Sequence, residues 1–208
     1  MRKKSILFLI RVLTLSALMF GALFLASCSP RNFLTRRLAT DLISTSDQFK
    51  TPQQYTLQTG IVSNKDYASP ESQTLQRRGW ISASTIACPP GLAPPPCWEI
   101  LLTPSGVDTI HTLLSAGETT RPSFAIPVAR RAFVAVTGIS KQGNVADVNF
   151  TWRWVPLNEI GAALYSSGVH YNSTVGFRNY DDGWHVVQTA IHSPQTLDDA
   201  LKNAESSP

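Results

Sequence analysis

Between residues 145 and 155 the chain alternates apolar and polar side chains without a break. Ala146, Val148, Phe150, Trp152 and Trp154 take every second place, and Asp147, Asn149, Thr151 and Arg153 fill the places between. A period of two is the pleat of a β-strand. One aromatic face and one polar face make it a half-buried antiparallel strand. A slip of one residue would put three rings into water and Asp147, Asn149 and Arg153 into the core, so the register is firmly set. Such a strand needs partners on its edges. Residues 133–139 read as the strand before it, joined through the turn Lys141-Gln142-Gly143-Asn144. Pro156 ends it, and residues 158–165 read as a short helix or a connecting loop. Residues 174–180 and 184–188 read as two further strands, joined by Asp181-Asp182-Gly183, a strong hairpin signal.

This meander, closed by Tyr180-Asp181-Asp182-Gly183-Trp184, is similar to the last strands of cystatin-like and nuclear-transport-factor-like cones. The resemblance implies that the face carrying Phe150, Trp152 and Trp154 could line a concave pocket for a small apolar ligand. By themselves the same three rings read as core.

The first half reads differently. Residues 31–48 have a helical period, with Leu34, Leu38 and Leu42 on one stripe. Arg36 and Arg37 on it read as a solvated face, with contact to anionic lipid as the alternative, at about 1 kcal/mol per charge. Ser69-Pro70-Glu71 starts a helix, with a capping hydroxyl, proline at the first helical position and an acid in the first turn. That helix should stop at Gly79. Strand-like residues 81–87 and 98–103 follow, and Thr103-Pro104 opens another helix through Val107, Ile110, Leu113 and Leu114. A helix, a Gly-stopped turn, a hairpin and then Leu102-Thr103-Pro104-Ser105-Gly106 resemble the end of a winged-helix module. That resemblance concerns the fold, from which function does not follow. The compartment argued below and the lack of a dense basic helix oppose a nucleic-acid partner. Ser193-Pro194 starts a terminal helix, with Asp198 and Lys202 an i,i+4 pair.

The N-terminus carries an address. Arg2, Lys3 and Lys4 form a positive n-region, residues 12–25 an apolar run of secretory length, and Leu25-Ala26-Ser27-Cys28 closes it. These residues resemble the signal and lipobox of bacterial lipoproteins. The resemblance implies cleavage before Cys28, acylation of Cys28, and, since Ser29 follows the cysteine, the outer membrane facing the periplasm. Two or more acyl chains anchor stably, each buried CH₂ contributing about 0.8 kcal/mol. An unbroken apolar span of about 20 residues, which a transmembrane helix needs, is not reached without including Arg11. Removing the segment also changes the charge. The full chain has 18 basic and 14 acidic residues, but four of the basic ones (Arg2, Lys3, Lys4, Arg11) precede Cys28 and no acid does. The mature chain is neutral, and the pI of about 9.1 belongs to the signal.

With Cys28 acylated, Cys88 and Cys97 are the remaining thiols of a chain with three cysteines. In an oxidising compartment they should pair and staple the Pro-rich tip of the hairpin, contributing roughly 2.7 kcal/mol by loop entropy. Their spacing suits neither a metal site nor a redox motif. The histidines His111, His170, His185 and His192 form no zinc phrase, and there is no nucleophile elbow, phosphate loop or dinucleotide fingerprint. No catalytic residue, metal ligand or cofactor is assigned. Asp181 and Asp182 read as turn residues, and Asp147 and Glu159 show no partner.

The expected architecture is therefore α+β: N-terminal helices with a disulfide-stapled hairpin, then a C-terminal antiparallel β-meander packed on helix. Residues 1–27 are the signal peptide. Residues 28–120 carry the helices and hairpin, and 121–192 the sheet, together forming one compact unit. Residues 193–208 are the terminal helix and a frayed tail. The expected role is a lipid-anchored envelope module without catalysis, whose partners are the membrane, an envelope protein or a small apolar ligand. The alternative is a small hydrolase with a non-contiguous site, recognisable as a His within hydrogen-bond reach of a Ser and an acid.

Overall fold

A computed structural model describes residues 33–91, 95–113, 123–187 and 195–206. Within them the fold is α+β, with all strand pairings antiparallel. The elements run α1 (Arg36–Ser44), α2 (Asp47–Lys50), β1 (Gln53–Gln58), β2 (Gly60–Ser63), α3 (Asn64–Tyr67), α4 (Pro70–Arg77), β3 (Ile81–Ile86), β4 (Cys97–Leu102), α5 (Pro104–His111), β5 (Ser123–Gln142), β6 (Val145–Pro156), α6 (Glu159–Leu164), β7 (His170–Tyr180), β8 (Gly183–Val187) and α7 (Leu197–Glu205). One sheet has the order β1-β5-β6-β7-β8 and the other β2-β4-β3.

β5 organises both sheets' surroundings. Its 20 residues bury opposite faces in the two halves of the strand. Phe124, Ile126 and Val128 point into one core, built with Leu75 of α4, Ile81, Ile100, Ile110 of α5 and Ile160 of α6. Ala129 and Val136 point into the other, built with Ala39 and Ile43 of α1, Phe49 of α2, the aromatic row of β6, Val175 and Phe177 of β7 and Leu197 and Leu201 of α7. Sequence periodicity places a strand only over 133–139. The missing half contains Pro127, which sits beside a register shift against β1. A proline is tolerated at a bulge, and its carbonyl accepts a hydrogen bond of 2.7 Å from Asn158 Nδ2. Two further register shifts lie at Phe133/Ala135 and Val136/Gly138, so no single phase of alternation runs the length of β5.

The strand expected at 145–155 is present as β6, with Val148, Phe150, Trp152 and Trp154 buried. Gly143, at φ 62°, makes the tight turn into it. The expected third strand from Thr174 begins earlier, at His170. The helix expected over 31–48 is broken in two: α1 starts at the Thr35 cap and ends at Thr45, and α2 follows from Ser46, whose hydroxyl donates back to the carbonyl of Ile43 at 2.6 Å. Its fully buried positions are Ala39 and Ile43, while Leu34, Leu38 and Leu42 are half-buried on their flank. The terminal helix starts from Thr196, whose capping box with Asp199 satisfies two end groups at once. Ser193 and Pro194, where sequence placed that start, lie outside the described residues, as do Leu114, Gln188 and the whole of 1–32.

The α4–β3–β4–α5 run follows the winged-helix phrase in order. Ser69 caps α4, and Gly79, at φ 75°, leaves it in the left-handed region. The β3–β4 hairpin is closed by the Cys88–Cys97 disulfide, with Cα atoms 5.1 Å apart.

α5 and α6 dock by the same joint. In each, the cap side chain accepts from a glycine N–H three residues on: Gly106 N to Thr103 Oγ1 at 3.0 Å, and Gly161 N to Asn158 Oδ1 at 2.8 Å. In each, the chain at the helix start donates to a strand-side carbonyl, Thr103 N to Trp80 O at 3.1 Å and Leu157 N to Val128 O at 2.9 Å. The glycine then lies directly over that carbonyl. A Cβ on Gly106 would stand 1.9 Å from Trp80 O, and one on Gly161 1.7 Å from Val128 O.

Helix propensity and packing therefore oppose each other at Gly161. Alanine is favoured over glycine in a helix by about 1 kcal/mol, but here it drives a methyl into a backbone carbonyl. Gly161→Ala should lower the urea midpoint by the equivalent of about 1–3 kcal/mol; an unchanged or raised midpoint would show that α6 is free to lift off β5.

Candidate functional site

The aromatic face of β6 is filled. Phe150, Trp152 and Trp154 are 0%, 0% and 3% exposed. Phe49 of α2 packs edge-on to Phe150 at 6.3 Å, and Phe133 stacks on it at 6.0 Å. Tyr171 of β7 stacks on Trp152 at 4.6 Å, and Tyr165 lies 4.7 Å from Trp154. Trp152 Nε1 donates to Ser173 Oγ at 3.0 Å, which donates to the carbonyl of Ala200 in α7, also at 3.0 Å. That relay satisfies the indole and ties three elements together. Among the described residues these rings are buried as core, packed under α1, α2 and α7.

One charge enters this core. Arg131 of β5 lies with its guanidinium 5.4 Å from the Trp152 ring centre and 4.7 Å from that of Trp154. Arg131 Nη2 pairs with Glu205 of α7 at 3.0 Å, and its side chain is 11% exposed. Two indole faces and one carboxylate compensate the buried cation. Burial pushes the Tyr165 phenol above its ordinary range, Glu205 and Glu71 add to the rise, and Arg131 offsets part of it.

The open site lies on the other side of β1. A cleft of about 220 Å³ is lined by Tyr55, Thr56, Gln58, Val62, Lys65, Asp66, Ser69, Ser72 and Ile100. Strand β1 supplies Tyr55, α3 supplies Lys65 and Asp66, and the first turn of α4 supplies Ser69 and Ser72. The hydroxyls are already committed. Ser69 Oγ donates to Ser72 Oγ at 3.0 Å, Ser72 Oγ to the carbonyl of Asp66 at 3.4 Å, and Ser63 Oγ to Asp66 Oδ2 at 2.7 Å. Ser63 thus directs its proton to the Asp66 carboxylate, and Ser69 directs its own to the neighbouring Ser72 hydroxyl. Burial raises the Tyr55 phenol, Ser72's hydrogen bond opposes that rise, and Glu71 adds to it. The cleft thus offers hydroxyls, one ammonium, one carboxylate and a neutral phenol beside the apolar side chains of Val62 and Ile100, a mixed lining suited to holding a small molecule.

Sequence reasoning assigned nothing to residues 53–63, so it missed this site. A signal was present. Tyr55 and Leu57 alternate with Thr56 and Gln58 between Pro52 and Gly60, but the run is short and its single fully buried residue is Leu57. A second cleft, of about 410 Å³, is lined by Asp108, Thr109, Thr112, Leu113, Asn158 and Glu159. Asp108 and Glu159 are both among its lining residues.

The remaining expected residues are dispersed. Cys88 and Cys97 are bonded to each other; Cys28 and His192 lie outside the described residues. His185 is exposed and pairs with Asp182 at 2.9 Å within the β7–β8 turn. Among the described residues no histidine hydrogen-bonds a serine. Asp147 Oδ1 is buried without a hydrogen-bond partner, on the face of β6 opposite the aromatic row. No helix among the described residues is long and apolar enough to cross a membrane. No protein-family model, no curated protein and no solved structure matches this chain.

Trp154→Ala should destabilise by about 3–5 kcal/mol, the cost of a cavity in packed core, while Arg153→Ala, on the opposite face, should stay within about 0.5 kcal/mol. Equal melting temperatures for the two variants would place the Trp154 ring outside the core. The raised phenols also set an alkaline limit. The unfolded chain ionises its tyrosines near pH 10, before the folded one does, so the stability they contribute is present below about pH 10 and lost as the pH rises past it. Thermal scans across that range should show Tm falling more steeply for the parent than for Tyr165→Phe; parallel curves would remove Tyr165 from the account.

Proposed function

We propose that this chain is a lipid-anchored module of a bacterial cell envelope that holds a partner or a small ligand and performs no catalysis. The observation that carries the reading is the use of its cysteines. Two of the three close the β3–β4 hairpin as a disulfide, and the third is the last residue of Leu25-Ala26-Ser27-Cys28. A disulfide belongs to an oxidising compartment, and a cysteine after two small residues and an apolar run is where a lipoprotein signal ends. Ser29 at the following position supports the outer membrane as destination, with the folded part in the periplasm.

The binding part of the reading rests on the Tyr55 cleft and not on the aromatic face. At about 220 Å³ the cleft is smaller than the usual ligand pocket of about 300–1,000 Å³. Its lining sets the hydroxyls, Lys65 and Asp66 beside Tyr55, Val62 and Ile100, which suits a small molecule with both polar and apolar parts.

Growth with an alkynyl fatty acid should label the protein, and Cys28→Ala should abolish both the label and membrane retention. A Cys28→Ala protein that still takes the label, or a parent protein that never does, overturns the lipid anchor.

A further inference from the structure

We infer that the end of the five-stranded sheet carrying Phe33, Lys141, Arg178 and Tyr180 lies against the anionic headgroup layer of the bilayer. The inference rests on the lipid anchor at Cys28 proposed above, and it adds which surface of the protein meets the membrane.

The chain length sets the geometry. Five peptide steps separate Cys28 from Phe33. Fully extended, they span at most about 18 Å. The folded part therefore begins within that distance of the acylated cysteine. Phe33 leads into α1 and sits beside the β5–β6 turn, its ring centre 5.6 Å from Lys141 Nζ. The β7–β8 turn is at the same end: the N–H of Asn179 donates to the carbonyl of Asn144 at 2.8 Å, and Lys141 Nζ is 5.2 Å from the Trp184 ring. Two hairpin turns and the point of chain entry thus share one end of the sheet. The three-stranded sheet packs at the other end of β5, a strand of 20 residues. At about 3.3 Å per residue the strand spans at most roughly 60 Å, and even shortened by its bulges it reaches well beyond the tether.

The exposed side chains at the near end suit an interface. Phe33 is 58% and Tyr180 48% exposed. Aromatic rings held at a chain's membrane-proximal end match the headgroup level, where an apolar body and a polar rim are both accommodated. The cations are on hand. Arg178 lies 5.9 Å from the Tyr180 ring, Lys141 lies between Phe33 and Trp184, and Arg36 and Arg37 follow on the exposed side of α1. The acids there are Asp147, Asp181 and Asp182, of which Asp182 is paired with His185, against the cations Lys141, Arg178, Arg36 and Arg37. Positive charge is in excess at this end of a mature chain that is neutral as a whole. Clustered basic residues next to a membrane anchor are drawn to anionic lipid.

The test uses the acylated protein in vesicles whose acyl chains carry bromine, which quenches tryptophan on contact. Two variants each add one tryptophan: Tyr180→Trp at the proposed contact, and Leu101→Trp on the exposed face of β4, where Leu101 is 52% exposed. Vesicles of phosphatidylethanolamine with phosphatidylglycerol should quench most of the emission added at position 180 and leave that added at 101 intact. Phosphatidylcholine vesicles should quench position 180 less. Quenching at 101 instead of 180, or at neither, overturns the orientation, and equal quenching of 180 in both lipid mixtures overturns the role of charge. The intact mass of the same sample reports the acyl groups on Cys28. An unacylated sample means that the anchor itself has failed, whereas an acylated sample without quenching at 180 removes this inference and leaves the anchor standing.

Discussion

The guanidinium of Arg131 has to be neutralised where it sits, and much of the C-terminal half is arranged around doing so. Arg131 belongs to the middle of β5, just past the point where the strand changes the face it buries. Leaving a buried cation unpaired would cost several kcal/mol. Its compensation comes from three directions: the indoles of Trp152 and Trp154 from β6 and the carboxylate of Glu205 from α7. The last of these makes the terminal helix part of the core and not an appendage. The Trp152–Ser173–Ala200 relay holds α7 from its other side, so the helix is fixed by one charged and one neutral contact on either flank of the aromatic row. A purely apolar β5 would have bound α7 by area alone, with less to define its orientation.

The legibility of this fold followed the range of the forces involved. Elements governed by local chemistry could be read from the chain: the caps at Ser69 and Thr103, the turn at Gly143, the unbroken alternation of β6, and the α+β class that these imply. The elements that could not be read depend on distant partners. The first half of β5 contains Pro127, which has no N–H for the ladder and is tolerated beside the register shift against β1. The first residues of β7 look polar, yet Ser173 is buried because Trp152 and Ala200 need a hydroxyl between them. Residues 31–48 have one helical period, but the Thr45-Ser46 pair stops α1 and starts a second helix.

The candidate site shows the same division. The three rings of β6 were legible as a face, and whether that face was core or pocket depended on what covered it. Helices α1, α2 and α7 cover it. The Tyr55 cleft could not be found by motif, because its residues come from β1, β2, α3, α4 and β4 and none is chemically unusual alone. What distinguishes the cleft is the run of hydrogen bonds from Ser69 through Ser72 to the Asp66 carbonyl, and that is a property of the assembled structure.

The repeated joint beneath α5 and α6 has a consequence for ancestry. Where a helix rests on side chains, its seat can be remade by compensating exchanges, and a lineage drifts through many solutions. Here each helix rests on peptide atoms, with the glycine Cα pressed on a carbonyl oxygen, so no exchange elsewhere in the core compensates for a side chain at that point. The two phrases Thr103-x-x-Gly106 and Asn158-x-x-Gly161 should therefore outlast the rest of the sequence. A pair of cap-x-x-Gly phrases, the first just after a cysteine-closed hairpin and the second just after a strand of alternating aromatics, is the signature by which distant descendants of the same fold would still be identified.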